Sequence, residues 1–384
     1  MRNVGHLLAS ESGGATARAV PETGRASNRA SRKQGETVGR HRDSVSMKDV
    51  AALARVSIGT VSNVLNSPDL VAEATRQRVE DAIRELGWVR NESARQLRAG
   101  HSRSIGMVVM DIANPFFADV VRGAEDVLYE QRYSVHIGNS DQRTARESTL
   151  LDNFQEQRVR GVLVAPIGPD AVEHAARLRQ RDIPVVLLDR AAGVADFCTV
   201  GADDVEGGRL AGAHLLAQGH RRIAMVGGPG DLPQIRDRRL GFDLALRDTP
   251  EASVLVISTD LLDVACGLRA ASEILLLSDA ERPTAVFAAN DLLAIGLLQS
   301  FVQAGVRVPE DMAIVGYDDI AFASAAAVPL SSVRQPRAEL GAQAARLLFD
   351  EIRDADSGTP HEHRTVRMTP ELIVRQSSAR PRRA

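Results

Sequence analysis

The stretch 47–66 constrains this chain most, because its apolar residues recur with the spacing of two short helices. The two apolar sets are Val50, Leu53 and Ala54, then Val61, Val64 and Leu65. Spacing of i, i+3 and i+4 predicts one buried face on each helix. Between them, Val56 would point inward and Ser57 would cap the second helix. The pattern predicts a helix-turn-helix that reads a DNA major groove, with an ordinary helical hairpin as the alternative.

The outward face of the predicted second helix carries mostly small or hydrogen-bonding side chains, as a groove-reading surface requires. An asparagine can pair bidentately with adenine, and an isoleucine can pack on the methyl group of thymine. We therefore predict DNA contacts from Ser57, Ile58, Gly59, Thr60, Ser62, Asn63 and Asn66.

Charge is spread unevenly along the 384 residues. Residues 1–104 hold 17 Lys and Arg against 11 Asp and Glu, whereas residues 105–384 hold 30 against 39. A basic end on an acidic body fits a nucleic-acid-binding head on a soluble sensor. The alternative is a basic tail without function, because residues 1–44 alone supply a net charge of +4. We predict that residues 1–44 are disordered and contain no export signal.

A third helix over 72–86, stopped by Gly87, would complete a small DNA-binding domain spanning 45–90. The linker 91–103 begins with a segment, 91–100, that is compatible with a helix but too short to be stable alone. It is either a plain connection or a segment that folds only on DNA. In the second case Leu97 would wedge between base steps of the minor groove.

From residue 104 to 384, short apolar runs alternate with helical stretches. The predicted strands are 105–110, 135–137, 161–165, 185–188, 223–226, 254–257, 285–288 and 314–315. Such runs are typical of buried parallel strands, so we predict two doubly wound α/β subdomains in tandem. A ligand would bind in the cleft between them, beyond the carboxyl ends of the strands. No apolar run reaches membrane-spanning length, and no membrane partner is expected.

Polar and aromatic residues collect where these strands end. Carboxylates, amides and guanidinium groups beside aromatic rings suit a hydroxyl-rich ligand such as a sugar. Taken singly, each polar residue is explained better as a helix cap, but their convergence on one cleft favours binding. The candidate ligand-binding residues are Asp111, Asn114, Phe116, Phe117, Asp189, Arg190, Arg238, Asn290 and Asp318.

The sequence shows no pattern typical of a catalytic, cofactor or metal site. The glycine-rich loop 227–230 is not a phosphate-binding signature, and no nucleophile–base pair stands out by spacing. The His-Glu-His run 361–363 is too isolated for a metal site and is expected to be a solvated loop. Cys198 and Cys266 have no metal or redox spacing, which favours reduced structural thiols in a cytoplasmic protein.

The chain resembles the lactose/galactose repressor (LacI) family of bacterial transcription factors from about residue 45 to residue 378. The motifs that carry the resemblance are DVAALARVSIGTVSNVLN, NESARQLRAG, IGMVVMDIANPFFADVVRGAE, AANDLLAIG and IVGYDDI. The resemblance implies a helix-turn-helix domain followed by a domain like a periplasmic binding protein. It also implies a homodimer on a pseudo-palindromic double-stranded DNA operator, with an affinity that a small-molecule effector controls.

By the same resemblance, individual residues receive roles. Ile58, Gly59 and Asn63 would meet bases in the major groove, and the hinge segment would contribute Asn91, Ala94 and Leu97, with Leu97 intercalating at the operator centre. The aromatic pair Phe116 and Phe117 would line the effector pocket. Effector hydrogen bonds would come from Asp189, Arg238, Asn290 and Asp318.

The chain also departs from the family pattern. Arg55 stands where the turn usually has Gly, and Asn63 replaces a frequent Arg, so the operator sequence does not transfer. Leu262 stands roughly where many members carry a pocket aromatic, which weakens the case for sugar stacking. No leucine-rich tail follows Ser378, so we expect a dimer rather than a tetramer. The rival functions, a periplasmic-type sugar-binding protein and an enzyme, fit residues 45–100 less well than a repressor does.

Overall fold

A computed structural model of the chain describes residues 45–89, 100–168, 170–190 and 196–379. The chain divides into two compact units, with the boundary after residue 90. The predictions for residues 1–44 and for Asn91, Ala94 and Leu97 therefore lie outside the described residues. Within the described ranges, no helix is both long enough and apolar enough to span a bilayer.

The first unit is a bundle of three helices around one small core. The helices are α1 (Met47–Ala54), α2 (Ile58–Asn66) and α3 (Glu73–Leu86), with a 3₁₀ turn at Pro68–Leu70. Val50, Val61 and Val79 are fully buried at the centre. Leu53 is 41% exposed and Ala51 is buried instead, so the predicted inward face of α1 was wrong at that position. The core of α1 is built from Val50, Ala51 and Ala54, which is a slightly rotated stripe.

The turn between α1 and α2 has the geometry that the sequence predicts. Arg55 ends α1 in the left-handed region, at φ 53° and ψ 48°. Val56 is partly buried against the three-helix core. The Oγ atom of Ser57 accepts a hydrogen bond of 3.0 Å from the backbone N–H of Thr60, so Ser57 caps α2.

The second unit contains two lobes, each built on a six-stranded sheet. The strands of lobe 1 are β1 (Ser104–Val109), β2 (Ser134–Asn139), β3 (Gly161–Val164), β4 (Val185–Leu188), β5 (Cys198–Ala202) and β11 (Thr365–Met368). They lie in the order β11-β5-β4-β3-β1-β2, and every pair is parallel. The helices of lobe 1 are α4 (Pro115–Glu130), α5 (Thr144–Glu156), α6 (Asp170–Arg179) and α12 (Arg337–Ser357).

Lobe 2 repeats this plan with one antiparallel edge. Its strands are β6 (Arg222–Gly227), β7 (Ser253–Ser258), β8 (Ala285–Ala288), β9 (Ala313–Asp318), β10 (Ser331–Arg334) and β12 (Glu371–Ile373). Their order is β12-β10-β9-β8-β6-β7, and β12 pairs with β10 in the antiparallel sense. The helices of lobe 2 are α7 (Asp204–Ala217), α8 (Pro233–Leu246), α9 (Val264–Leu275), α10 (Asp291–Gln303) and α11 (Ala321–Ala325).

The two lobes are interleaved in sequence, so the tandem arrangement predicted above was wrong. The chain passes from lobe 1 to lobe 2 at residue 203, returns at residues 335–336, and passes to lobe 2 again at residues 369–370. We call these three passages the crossovers. The sequence prediction failed here because it missed β5, β10, β11 and β12, each of which contains polar or charged residues.

The edge strands also differ from the prediction of buried strands. Both β2 and β7 have only one buried residue each, because each strand lies at the end of its sheet. Ile137 on β2 and Val256 on β7 are about half exposed. The central strands β1, β3, β4, β8 and β9 are buried throughout, as predicted for a parallel sheet covered on both faces.

Candidate DNA-binding surface and ligand cleft

The outer surface of α2 presents the side chains that the sequence assigns to DNA. Ile58 is 45% exposed although it is apolar, and Gly59 and Asn63 are exposed beside it. Thr60 and Ser62 are half-buried, while Asn66 is exposed and donates from Nδ2 to the backbone oxygen of Ser62 at 2.9 Å. Ile58 and Asn63 therefore present an apolar side chain and an amide group to solvent on this helix.

The three-helix unit itself is not basic. Residues 45–89 contain five Lys and Arg against six Asp and Glu, whereas residues 90–104 contain four against one. Two of the five basic side chains, Arg76 and Arg84, already pair with neighbouring carboxylates on α3. The positive charge of the amino-terminal part thus resides in the sequences that flank the helices, where it can meet phosphates.

In the second unit, a cluster of buried charges lies where the two lobes meet. Arg238, on α8, donates from Nε to Asp204 Oδ1 at 2.8 Å and from Nη1 to the backbone oxygen of Ala289 at 2.6 Å. Its guanidinium carbon lies 3.7 Å from the centre of the Tyr317 ring. Burial opposes the charge of Arg238, yet the carboxylate of Asp204 holds its pKa above the usual value. Arg238 is therefore a fixed cation in a nearly dry site.

Asp189 directly follows β4 and faces this cluster from lobe 1. Its Oδ2 accepts a hydrogen bond of 3.3 Å from Gln234 Nε2 of lobe 2. Its Oδ1 is buried and has no hydrogen-bond partner among the residues that the structure describes. Burial, with added repulsion from Asp204, raises the pKa of Asp189 well above its ordinary value, although Arg238 opposes the shift.

Asp318 ends β9 and joins the same cluster from lobe 2. Its Oδ1 accepts from Gln335 Nε2 at 2.8 Å, and the side-chain amide of Asn114 of lobe 1 also favours its charged form. Burial raises the pKa of Asp318 to about 6, with Arg238 and these two amides working in the opposite direction. Asn114 has a second role, because its Oδ1 caps α4 by accepting from the backbone N–H of Phe116 at 3.0 Å. Asn114 thus caps a helix of lobe 1 and also affects the charge of Asp318 in lobe 2.

An apolar patch borders the charged cluster. The rings of Phe116 and Phe117 meet edge to face, with their centres 5.0 Å apart, and both are buried. They belong to one buried cluster with residues of lobe 2 that include Leu232 and Leu262. Leu262 also donates its backbone N–H to Gln142 Oε1 of lobe 1 at 3.0 Å. The lobes are therefore closed on each other at this point.

The remaining candidates, Asn290, Asp111 and Arg190, lie in the loops around the cleft, where two of them make helix-cap or loop hydrogen bonds. Asn290 caps α10 by accepting from the backbone N–H of Leu293 at 2.9 Å, and its Nδ2 donates to the backbone oxygen of Leu262 at 3.0 Å. Asp111 Oδ1 accepts from the backbone N–H of Ala113 at 2.9 Å. Arg190 is half-buried, and burial together with nearby Arg236 lowers its pKa. These contacts shape the loops around the cleft.

Three buried polar residues of the cluster were not among the sequence candidates: Asp204, Gln234 and Gln335. Asp204 begins α7 just after β5, and Gln335 directly follows β10. The rule that polar residues at strand ends meet at one edge would have found both, had those two strands been predicted. Gln234 lies in the first turn of α8, and only the fold brings it to Asp189.

The structure also corrects the expectation for the His-Glu-His run. His361 is not part of an isolated solvated loop, because its side chain is 10% exposed and its Nε2 lies 3.2 Å from Cys198 Sγ. His363 and the buried Glu351 lie in the same group. The prediction was wrong because the partners of this run are 163 residues earlier in the chain and on the preceding helix.

Comparisons with known proteins agree with both units. Residues 46–91 match the family described as "Bacterial regulatory proteins, lacI family", and residues 213–378 match a "Periplasmic binding protein-like domain". The HTH-type transcriptional repressor PurR of Aliivibrio fischeri (strain MJ11) is 35% identical over 338 residues, covering 86% of this chain and 97% of the relative. PurR of Photobacterium profundum is 34% identical, with 86% and 98% covered.

Solved structures give the same result. The lac repressor dimer bound to operator and the anti-inducer ONPF has a TM-score of 0.74 at 26% identity, covering 87% of this chain and 99% of that chain. The complex of the transcriptional regulator CelR with cellobiose has a TM-score of 0.64 at 34% identity, covering 87% and 100%. These proteins are regulators, which confirms the prediction that the chain is not an enzyme. The chain belongs to the lacI family of bacterial regulatory proteins and is a DNA-binding transcriptional repressor.

Proposed function

We propose that a small polar ligand of the sugar class binds in the cleft between the lobes and controls the affinity of this repressor for its operator. The observation that carries the proposal is the unpartnered, buried Oδ1 of Asp189 beside Arg238 and Asp318. A buried acceptor without a partner costs free energy, and a ligand hydroxyl would satisfy it.

The chemistry of the cleft supports this ligand class. Gln335 Oε1 is a second buried acceptor that has no partner within the described part of the chain. Two acceptors, a fixed guanidinium and the Phe116–Phe117 pair suit a compact molecule with several hydroxyl groups and one apolar face. The CelR structure is described as a complex with cellobiose, and another LacI family regulator, from Enterococcus faecium, contains bound ribose.

A flat nucleobase is the second candidate, because its N–H groups could donate to Asp189 and its ring could pack on Phe116. We place Asp189, Arg238 and Asp318 at the centre of the ligand site. The full set of residues that we assign to the ligand is Asp111, Asn114, Phe116, Phe117, Asp189, Arg190, Arg238, Asn290 and Asp318.

On the DNA side, we assign major-groove contacts to the exposed surface of α2 and minor-groove contacts to the segment after α3. The residues are Ser57, Ile58, Gly59, Thr60, Ser62, Asn63 and Asn66, then Asn91, Ala94 and Leu97. Two copies of the chain would place two such heads on a pseudo-palindromic duplex, in the bacterial cytoplasm. The ligand would act by binding one arrangement of the lobes more tightly than the other.

The ligand is tested by a thermal-shift screen of sugars and nucleobases, since a ligand that binds only the folded form raises the melting temperature. We expect a sugar to raise it, and Asp189→Ala, which removes the acceptor, to abolish the shift. Asp248→Ala, in the exposed turn between α8 and β7, is the matched control and should keep the shift. A response to nucleobases alone would replace the sugar with the second candidate, and an unchanged response in Asp189→Ala would refute the site.

The DNA contacts are tested with a duplex selected from a random library and a scrambled competitor. Leu97→Ala should weaken binding to the selected duplex far more than binding to the competitor, whereas the exposed Leu70→Ala should change neither. Equal losses on both duplexes would contradict the wedge role. Affinity should also fall steeply with added salt, and a flat response would contradict phosphate contacts altogether.

A further inference from the structure

We propose that Cys198, Glu351, His361 and His363 form a binding site for Zn²⁺ in lobe 1, separate from the ligand cleft. Each residue offers one ligand atom, and the four atoms all lie within 4.8 Å of one another. Two nitrogens, one sulfur and one carboxylate oxygen make up a donor set that zinc takes in proteins.

Three separate elements bring these residues together. Cys198 is the first residue of β5, Glu351 lies in the second half of α12, and the two histidines lie between α12 and β11. The parallel pairing of Thr199 with Thr365 places the histidine segment next to Cys198. The group therefore lies at the amino end of β5, whereas the ligand cleft lies beyond its carboxyl end, roughly 15 Å away along the strand.

The geometry around His361 is that of a prepared metal ligand. Its Nε2 lies 3.2 Å from Cys198 Sγ, inside the group. Its Nδ1 lies 2.7 Å from Asp354 Oδ2, outside the group. A carboxylate on the outer nitrogen fixes the tautomer that leaves the inner nitrogen free to bind a metal. Asp354 thus orients His361 as carboxylates orient zinc-binding histidines elsewhere.

Two atoms of the group are buried without a hydrogen-bond partner in the described ranges: Glu351 Oε2 and His363 Nδ1. Glu351 is 6% exposed, so its unpartnered oxygen is shielded from water. The other oxygen, Oε1, lies 3.6 Å from Arg179 Nε and is paired. Buried polar atoms normally have partners, and a cation between Glu351 and His363 would provide one for each.

The spacing requires only small adjustments to hold the ion. Bonds of about 2.0–2.3 Å in a tetrahedron place the donor atoms about 3.5 Å apart, which side-chain rotations can reach from the present separations.

A bound ion would tie the segment 359–364 to both α12 and β5. The same segment leads into β11, just before the last crossover at residues 369–370. Metal binding should therefore stabilise lobe 1, because the unfolded chain offers no such arrangement of ligands.

The test uses the full chain, stripped with a chelator and titrated with Zn²⁺ against a chromophoric competitor. We expect one equivalent per chain and a higher melting temperature with Zn²⁺ than without it. Co²⁺ in place of Zn²⁺ should give a sulfur-to-cobalt charge-transfer absorption. Cys198→Ser should remove that absorption, and Cys266→Ser, which changes the other buried cysteine, should retain it.

His363→Gln provides a second variant in case Cys198→Ser does not fold, and it should lower the Zn²⁺ affinity at least about tenfold. His136→Ala, on the exposed edge strand β2, should leave the affinity unchanged. Failure of the folded chain to take up one equivalent of Zn²⁺ would overturn the proposal. Equal effects of the His363 and His136 variants, or of the two cysteine variants, would overturn it as well.

Discussion

The backbone N–H of Leu262 in lobe 2 donates a hydrogen bond of 3.0 Å to Gln142 Oε1 in lobe 1. This bond fastens the lobes to each other across the cleft. Gln142→Ala should leave the Leu262 amide without its partner. We expect this amide to exchange with solvent about fivefold faster, since one hydrogen bond contributes about 1 kcal/mol.

Hydrogen exchange followed by mass spectrometry or NMR measures the effect of Gln142→Ala at Leu262. Gln77→Ala, on the exposed surface of α3, serves as the control and should leave the exchange of Leu262 unchanged. Equal protection of this amide in Gln142→Ala and in the unaltered protein would show that the lobes close without this contact.

Arg238→Met should destabilise the second unit strongly. The substitution leaves Asp204 as an unpaired buried carboxylate, which typically costs about 3–5 kcal/mol. Urea unfolding measures the change in the free energy of unfolding. Arg239→Met breaks the exposed pair with Asp243 on the same helix and should cost less than about 1 kcal/mol. If both variants lost a similar amount of unfolding free energy, the buried Arg238–Asp204 pair would contribute no more to stability than the exposed Arg239–Asp243 pair.

Arg55→Gly should stabilise the three-helix unit. Arg55 adopts φ 53°, a conformation that costs a residue with a side chain about 1 kcal/mol and costs glycine much less. The amides in the core of the unit, such as that of Val79, should then exchange about fivefold more slowly. Arg78→Gly, in the middle of α3, should have the opposite effect, by about 1 kcal/mol. A destabilised Arg55→Gly protein would contradict the argument from backbone strain.

Glu147→Gln should stabilise lobe 1 in a way that depends on pH. Glu147 is fully buried, its Oε2 accepts from the backbone N–H of Ile167 at 3.0 Å, and burial raises its pKa from 4.5 to about 7. The folded form therefore keeps a proton that the unfolded form loses between about pH 4.5 and pH 7. Stability falls as pH rises through this window, by about 3 kcal/mol in all.

Urea unfolding at a series of pH values from about 5 to about 8 tests this expectation for Glu147. The advantage of Glu147→Gln should grow up to about pH 7 and then stay constant, because glutamine keeps the acceptor for Ile167 and cannot ionise. Glu156→Gln, on the exposed end of α5, should show no such trend. If the stability difference between Glu147→Gln and the unaltered protein did not change with pH, the pKa of Glu147 would have its ordinary value in the folded protein.

Local spacing was enough to predict the first unit, because its turn and its caps involve neighbours in sequence. The cap at Ser57 and the left-handed Arg55 both depend on atoms within four residues. Leu53 was the exception, since its exposure depends on how α1 is rotated against α3. Such a rotation follows from the packing of Ala51 and Ala54, which periodicity alone does not resolve.

Long-range pairing limited the prediction of the second unit. Strand β5 has the sequence CTVGA, in which Thr and Gly interrupt the apolar residues, and β11 pairs with it from 166 residues away. Because β5 was not predicted, the sequence analysis could not place Asp204 in the cleft or Cys198 next to His361. The strand-end rule found Asp189 and Asp318, because their strands are continuous apolar runs.

The three crossovers have a consequence for how this protein can be dissected. Neither lobe is a contiguous piece of sequence, since lobe 1 takes its longest helix and its outermost strand from the carboxyl-terminal third of the chain. A gene truncated before residue 337 would therefore remove part of both lobes. A protease that cut the backbone at one crossover would leave the two lobes connected by the other two crossovers. Because each lobe contains segments from both fragments, the nicked protein should still migrate as one particle.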